Sequence, residues 1–324
     1  MGRAVTLVLT HPFDPTADYV VMELNRRGAP VFRCDPGQFP QRLTVAARLD
    51  GSEGAGAGWV GGLHLPERHV SLADVGCVYY RRPTGFDLPA GMSEQVRRWS
   101  ANEARMGVGG VLAALPRWLN HPVDIGRAEY KPVQLTHARV CGLRVPATLV
   151  TNDPAEARAF VGEAGRAVYK PFTPTGITEA GSHRVTFTTP ITVADVDESI
   201  RLTAHLIQAW VDKAYEVRLT VADDTLLAAR IDTSSEAAAA DWRADYDAVT
   251  YTPLPEVPDT VRDGVRALLG RLRLRFGTLD FIVSPDGAWW FLEVNPNGQW
   301  AWIEDATGLP ITAAITDALM REDM

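Results

Sequence analysis

Apolar positions recur along the chain at two spacings, and these divide it into strands and helices. Val5–Leu9 is a short alternating stretch that predicts a first strand. Thr16–Arg27 repeats its apolar residues at helical spacing and stops at Gly28. Pro30–Arg33 reads as a second strand, so the chain opens with a small βαβ-like lobe. Asp50–Gly62 is glycine-rich and predicts a turn or flexible hairpin. Val75–Arg81 has the β-branched and aromatic content of a strand, and Met92–Leu115 carries a long helical pattern ended by Pro116.

A second unit begins near Trp118. Arg127–Gly142 predicts one helix, Val145–Thr151 a strand, Pro154–Gly165 a helix and Ala167–Lys170 another strand. Pro, Gly and Thr cluster over Thr173–Ser182, the signature of a mobile loop between strands. Beyond it strands dominate: Leu206–Val211, Tyr215–Ala222 and Leu226–Asp232. A helix over Thr260–Arg273, a hairpin over Phe276–Asn295 and a last helix over Pro310–Met320 follow. This order implies α+β lobes and not a doubly wound sheet. We divide the chain into 1–117, 118–205 and 206–324.

Composition narrows the function classes. With 324 residues, 46% hydrophobic and 22% charged, the chain is an ordinary globular sequence with room for two or three compact lobes. No apolar run approaches the roughly 20 residues that cross a bilayer. Met1–Thr10 lacks the basic and apolar regions of a secretory signal. A net charge of −8 offers no general attraction for nucleic acid or acidic membrane. Cys34, Cys77 and Cys141 are odd in number and far apart, which fits neither a disulfide framework nor a zinc site and makes a reducing cytoplasm the expectation. Lysine occurs only at Lys131, Lys170 and Lys213; the other 29 of 32 basic residues are arginine. A compact ammonium on a flexible stem suits phosphate oxygens where a planar fork does not. Chance retention in an arginine-rich chain is the alternative.

The most informative segment runs from Gly277 to Asn295. Asp286-Gly287 between two apolar runs predicts a two-residue hairpin turn with Pro285 facing Ala288. Counting outward sets Asp280 opposite Glu293, with Asn295 on the same face. Facing carboxylates repel by up to roughly 1 kcal/mol, and burial beside Leu279, Phe281, Leu292 and Val294 raises that cost unless a cation is present. Two carboxylates and an amide form a hard-oxygen set suited to magnesium shared with substrate phosphates. A surface hairpin with solvated acids, or an acid neutralised by arginine, is the plainer alternative.

Other candidates sit near strand ends. Lys170 closes an apolar strand just before the Thr173–Ser182 loop, placed to grip phosphates while the loop closes. Lys131 opens Lys-Pro-Val-Gln-Leu at a helix start. Gln208-Ala209-Trp210-Val211-Asp212 offers backbone groups to an adenine edge, with Asp212 near a ribose, although most such strands are only core. Glu216 with Arg218, and Arg230 with Asp232, alternate onto strand faces as salt bridges or phosphate clamps. The chain has no Walker-type loop and no dinucleotide fingerprint, so phosphate binding must come from side chains and a lid.

Taken together, Asn120-His-Pro, Lys131-Pro-Val-Gln-Leu, Gly142-Leu-Arg-Val-Pro-Ala-Thr-Leu-Val-Thr-Asn152, Tyr169-Lys-Pro-Phe, Tyr215-Glu-Val-Arg218 and Phe291-Leu-Glu-Val-Asn-Pro-Asn-Gly-Gln-Trp300 resemble the ATP-grasp ligases over about Trp118–Asp305. Glu293-Val-Asn-Pro-Asn-Gly-Gln-Trp and Tyr79-Tyr-Arg-Arg-Pro83 resemble the maturases of graspetides, the microviridin-type side-chain-linked peptides, and Asp241-Trp-Arg-Ala-Asp-Tyr fits their actinobacterial branch. The resemblance implies an ATP-grasp fold with an N-terminal α/β pre-ATP-grasp lobe. It implies ATP and Mg2+ as cofactors and a ribosomally synthesised precursor peptide, leader plus core, as partner. It assigns Lys131 and Lys170 to the ATP phosphates, Gln208–Val211 to adenine and Asp212 to ribose. Asp280, Glu293 and Asn295 fall to magnesium, and Arg218 and Arg230 to charge on the transferring phosphoryl or acyl-phosphate. Arg81, Arg82, Arg243 and Trp300 are candidate peptide contacts. The implied reaction activates a peptide Asp or Glu carboxylate and passes it to a Thr or Ser hydroxyl or a Lys amine. A ligase adding a free amino acid, and a non-catalytic nucleotide- or peptide-binding module, are the competing readings. The family also contains homodimers.

Overall fold

The computed structural model describes residues 4–49, 58–173, 177–179, 182–184, 188–235, 242 and 245–321. The N-terminal part contains β1 (Val5–Leu9), α1 (Pro15–Arg26), β2 (Val31–Cys34), β3 (Thr44–Arg48), β4 (Val60–Leu65), β5 (Arg68–Ser71), β6 (Val75–Tyr80) and α2 (Glu94–Ala113). Parallel strands in the order β2-β1-β6 form one sheet, and antiparallel β3-β4-β5 form a second. The βαβ opening matches the sequence expectation. The β3-β4-β5 sheet was visible in the sequence only as a hairpin signal at Asp50–Gly62, and residues 50–57 of that signal lie outside the described residues.

Next come α3 (Pro122–Ala128), α4 (Lys131–Val140), β7 (Thr148–Thr151), α5 (Pro154–Ala164), β8 (Ala167–Lys170), β9 (Ile177–Glu179), β10 (Ser182–Arg184), β11 (Thr189–Ile191) and β12 (His205–Ala209). The single helix expected over 127–142 is two. Pro132 has no N–H to continue the ladder, and the side chain of Gln134 donates to the Ala128 carbonyl at 2.6 Å instead. β7, β8, β11 and β12 form an antiparallel sheet in the order β11-β8-β12-β7, with α5 packed on one face around Ala157, Val161, Ala167 and Ile207. Within the stretch expected to be a loop, β9 and β10 pair as an antiparallel hairpin; residues 174–176 and 180–181 of it lie outside the described residues.

The C-terminal part holds β13 (Tyr215–Ala222), β14 (Thr225–Thr233), β15 (Val249–Leu254), α6 (Asp259–Leu272), β16 (Phe276–Val283), β17 (Trp289–Asn295), α7 (Ala301–Thr307) and α8 (Ile311–Met320). Its antiparallel sheet runs β15-β14-β13-β16-β17. One face buries Val217, Leu219, Val221, Leu279, Phe281 and Phe291 under α6 and under α3 and α4. Packing therefore joins residues 122–140 to this sheet and not to the β7–β12 sheet. The opposite face meets the N-terminal part: Ala222, Ala229 and Phe276 pack with Val20, Leu24 and Tyr79 and with Ile311, Ile315 and Leu319 of α8.

Asn120 stitches these parts. Its amide nitrogen donates to the carbonyls of Phe276 (2.7 Å) and Pro296 (2.9 Å), and its oxygen accepts from the N–H groups of Arg275 and Phe276. Four main-chain groups at the mouth of the β16–β17 hairpin thus depend on one buried side chain. Asn120→Ala is expected to destabilise the protein by about 2–4 kcal/mol, read as a lower urea midpoint with an unchanged slope.

Candidate functional site

The β16–β17 hairpin brings Asp280 and Glu293 face to face, as counting along the sequence predicted, but by another route. The turn is not the two-residue one. Ser284 N–H donates to the Ala288 carbonyl (2.9 Å) and Gly287 N–H to the Ser284 carbonyl (2.8 Å). The loop is Pro285-Asp286-Gly287, with Gly287 at φ +81°. That register pairs Val283 with Trp289 and Phe281 with Phe291, and continued it would set Asp280 against Leu292. A bulge at Leu292 moves it by one residue, so that Asp280 pairs with Glu293 and Thr278 with Asn295. Without that extra residue Glu293 would turn to the apolar face.

Neighbouring elements surround the pair with charge. Arg218 lies opposite Asp280 on β13 and grips both carboxylate oxygens at 2.7 and 2.8 Å. Lys131, at the start of α4, contacts Glu293 from the edge of the sheet. The amide of Asn295 stands 3.2 Å from Glu293 and 3.4 Å from Asp280. Side-chain exposure is 18% for Asp280 and 20% for Glu293, enough burial to make these charges expensive without partners. Glu216, two residues before Arg218 on the same strand face, is buried and paired with Lys213.

The facing sheet supplies the rest of the cleft. Direct partners in a ladder share a face, so the pairs Lys170–Leu206, Val168–Gln208 and Gln208–Thr148 put Lys170 and Gln208 on the face away from α5. Burial pushes the Lys170 ammonium below its ordinary pKa; Glu293, Glu216 and Asp280 oppose that shift and Lys131 adds to it. Lys170 therefore feels both carboxylates and the second lysine across the cleft. Gln208 is buried and donates to the Thr148 hydroxyl at 2.9 Å. Beyond β12 the chain runs through Trp210, Val211 and Asp212. Trp210 N–H bonds to the Arg166 carbonyl (2.9 Å), the Arg166 guanidinium lies 4.4 Å from the centre of the Trp210 ring, and Asp212 accepts from Arg166 (2.7 Å) and the Trp210 indole (2.9 Å).

The structure does not bring Arg230 or Trp300 to the site. Arg230 pairs with Val217 in the β13–β14 ladder, which puts it on the face opposite Arg218. There it forks onto Asp232 at 2.6 and 2.7 Å and lies over the Tyr215 ring at 4.0 Å. One residue of register parity separates the two arginines. Trp300 is fully buried beside Tyr19 and cannot touch a peptide, because the turn after Asn295 drives its ring into the interlobe core. Arg82 is exposed next to the fully buried Arg81. Arg243 lies outside the described residues.

Two positioning groups escaped the sequence reading. Gln134, buried on α4, accepts from Val294 N–H (2.9 Å) and donates to the Val294 carbonyl (2.9 Å), so it fastens the Lys131 helix to the strand carrying Glu293. A glutamine flanked by the core residues Leu135 and Ala138 was the available signal. Gly298 is needed for close approach: a Cβ there would sit 1.7 Å from the Thr278 hydroxyl oxygen.

The residues present fit a magnesium ion carried in with phosphates. Among the described residues no group of three or more acidic, histidine or cysteine side chains is placed to hold a metal ion by itself. Two carboxylates and one amide leave coordination positions for phosphate and water oxygens, as magnesium prefers. A half-turn of the Asn295 amide presents its oxygen to the same point.

Residues 5–125 match the family model described as the MvdD pre-ATP grasp domain. No curated protein matches the chain. Among solved structures, the RiPP-associated ATP-grasp ligase of Chryseobacterium gregarium, in complex with ADP and a leader and core peptide, is 28% identical over 98% of this chain and 96% of its own, with a TM-score of 0.88. The macrocyclase MdnC of Microcystis aeruginosa, bound with the precursor peptide MdnA, is 29% identical over 97% of this chain and 98% of its own, TM-score 0.84. The ATP-grasp ligase PsnB, with a minimal precursor variant, Mg and ADP, is 25% identical over 97% of each chain, TM-score 0.76.

The depressed pKa of Lys170 gives a signed expectation. The unfolded chain holds the lysine proton more tightly than the folded one, so the charged side chain costs stability below the folded pKa. That cost fades as pH rises toward the ordinary lysine value. Lys170→Met is expected to raise the Tm of the ligand-free protein near neutral pH, by an amount that shrinks toward about pH 10. A Tm difference independent of pH would remove the desolvated ammonium.

Proposed function

We infer that the chain is an ATP-grasp ligase of the graspetide-maturase type, a magnesium- and ATP-dependent enzyme that joins side chains of a ribosomally made precursor peptide. The observation that carries this reading is the opposition of Asp280 and Glu293 beneath Asn295, flanked by Arg218 and Lys131 and faced by Lys170. Its likeness over nearly the full chain to ligases solved with precursor peptides supports the peptide as substrate. No helix among the described residues is long and apolar enough to cross a membrane, and a cytoplasmic setting accords with three free cysteines.

The proposed division of labour follows charge. Lys131 and Lys170 would neutralise the triphosphate. The backbone of Gln208–Val211 would border the adenine, with Asp212 toward the ribose. Asp280, Glu293 and Asn295 would hold magnesium, which supplies Lewis acidity toward phosphate oxygens and shields their negative charge. A peptide carboxylate oxygen then attacks the γ-phosphorus and ADP leaves, giving an acyl-phosphate. A Thr or Ser hydroxyl, or a Lys amine, attacks the acyl carbon; phosphate departs and one proton is released. Arg218, whose buried Nε has no hydrogen-bond partner among the described residues, lies beside Asp280 where negative charge must be balanced during both steps. Arg230 is left out of this scheme because of its sheet face. In lobe terms, we propose that 1–117 forms the pre-ATP-grasp unit, while 118–205 and 206–324 carry the two sheets that enclose the nucleotide.

Glu293→Gln and Asp280→Asn are each expected to abolish ATP turnover while the protein stays folded, judged by ADP release and circular dichroism; turnover at the normal rate in either variant would refute the metal assignment. Mass spectrometry of a precursor peptide incubated with the enzyme and MgATP is expected to show loss of one water per ring. A gain in mass would instead indicate addition of a free amino acid.

A further inference from the structure

A chain of hydrogen bonds runs from the N-terminal part into the carboxylate site. Asp14 caps α1 and accepts from Thr10 (2.7 Å), from Ala17 N–H (3.2 Å) and from Arg81 Nε (2.8 Å). Burial alone would raise the Asp14 carboxyl, but the hydrogen bond and charge of Arg81, with Thr10 and Ala17, outweigh it and hold the group below the usual carboxylate range. Arg81 and Asp14 have side chains 0% and 1% exposed, so this is a desolvated ion pair and not a surface contact. The other two nitrogens of the Arg81 fork reach outward: Nη1 donates to the Tyr79 hydroxyl and Nη2 to Gln299 Oε1, both at 3.1 Å. The Thr16 hydroxyl donates to the same Gln299 oxygen at 2.6 Å. On the far side the main-chain carbonyl of Gln299 accepts from Arg218 Nη2 at 3.1 Å, while Arg218 Nη1 grips Asp280.

We infer that Arg81 and Gln299 are positioning residues for the metal-binding carboxylates, holding Arg218 and through it Asp280 in place from the N-terminal lobe. The inference rests on the ligase reading for what Asp280 does, but not for the contacts themselves. Three features favour it over simple lobe glue. Gln299 carries both halves of the link, its side chain facing the N-terminal lobe and its carbonyl the site. The buried Trp300 ring fixes the adjacent main chain, so a displaced Gln299 has little room to recover its carbonyl position. An arginine fork, unlike an ammonium, can hold Asp14, Tyr79 and Gln299 at once from one rigid plane.

The test is calorimetric titration of the full-length protein with ADP, with and without magnesium. Gln299→Ala removes the Thr16 and Arg81 contacts and keeps the carbonyl. It is expected to weaken MgADP binding by roughly ten- to a hundred-fold, the usual cost of losing an outer support of a metal site, and to leave magnesium-free ADP binding unchanged. Arg81→Lys keeps the charge without the fork and is expected to behave likewise; if it does not fold, Gln299→Ala decides alone. Arg27→Gln serves as the control, because it breaks the ion pair from the end of α1 to Asp317 of α8, which joins the same two parts away from the chain, and is expected to bind MgADP as the parent does. Parental MgADP affinity in Gln299→Ala would overturn the inference, as would an equal loss in Arg27→Gln. A parent protein that binds no MgADP would overturn the ligase reading and this inference together.

Discussion

Two carboxylates held opposite each other in a partly buried ladder are the constraint around which this molecule is arranged. Left alone, Asp280 and Glu293 would repel, and water could not fully compensate for the burial. The fold answers with cations of two kinds, a guanidinium whose Nη1 donates to both oxygens of Asp280 and an ammonium on Glu293. Every large structural choice nearby serves to keep those groups together: the bulge at Leu292 turns Glu293 to the right face, Gln134 ties the lysine helix to β17, and Asn120 secures the hairpin's mouth.

The C-terminal sheet makes this possible because its two faces do different work. One buries an apolar core under α3, α4 and α6 and carries the Arg230–Asp232 pair at its margin. The other is divided along the strands: the end near Ala222 and Phe276 packs on the N-terminal part, and the end near Glu216 and Asp280 is polar. The buried Thr220 and Thr278 lie between these zones on the same strand face. The cleft therefore borders the contact with the N-terminal part, with Thr278 between Phe276 and Asp280 on β16. The β7–β12 sheet has its own small core under α5 and brings Lys170 from the opposite side.

Much of this was legible in the chain, and the failures are instructive. Strand and helix positions followed from apolar spacing because each element has one covered face; β1, β8 and β13 fall on the predicted residues. The Asp280–Glu293 opposition was read from a turn that does not form, and it survived because the three-residue loop and the bulge shift register by one residue in opposite senses. Proline chemistry explains the split at Glu129–Tyr130, where periodicity alone saw a continuous helix. What spacing could not supply was parity across strands: Arg218 and Arg230 look equivalent in sequence, yet antiparallel pairing sends them to opposite faces. Nor could it tell an aromatic ring at the site from one beneath it, hence the misplacement of Trp300.

The distribution of lysine and arginine can now be argued from mechanics. Arg218 touches both oxygens of Asp280 and a main-chain carbonyl, three fixed points that suit a rigid plane and a permanent charge. Lys131 has a different task. In the ligand-free protein it neutralises Glu293, and a divalent ion at the same carboxylate would displace it, leaving the ammonium to follow the phosphates that arrive with the ion. A point charge on four rotatable carbons can make that move without breaking a multidentate contact, whereas a fork would have to give up two bonds together. Lys170, its ammonium disfavoured by burial, would gain from a polyanion entering the cleft. In a chain that writes nearly all its positive charge as arginine, two of the three lysines, Lys131 and Lys170, lie where the proposed function requires a charge free to change partner.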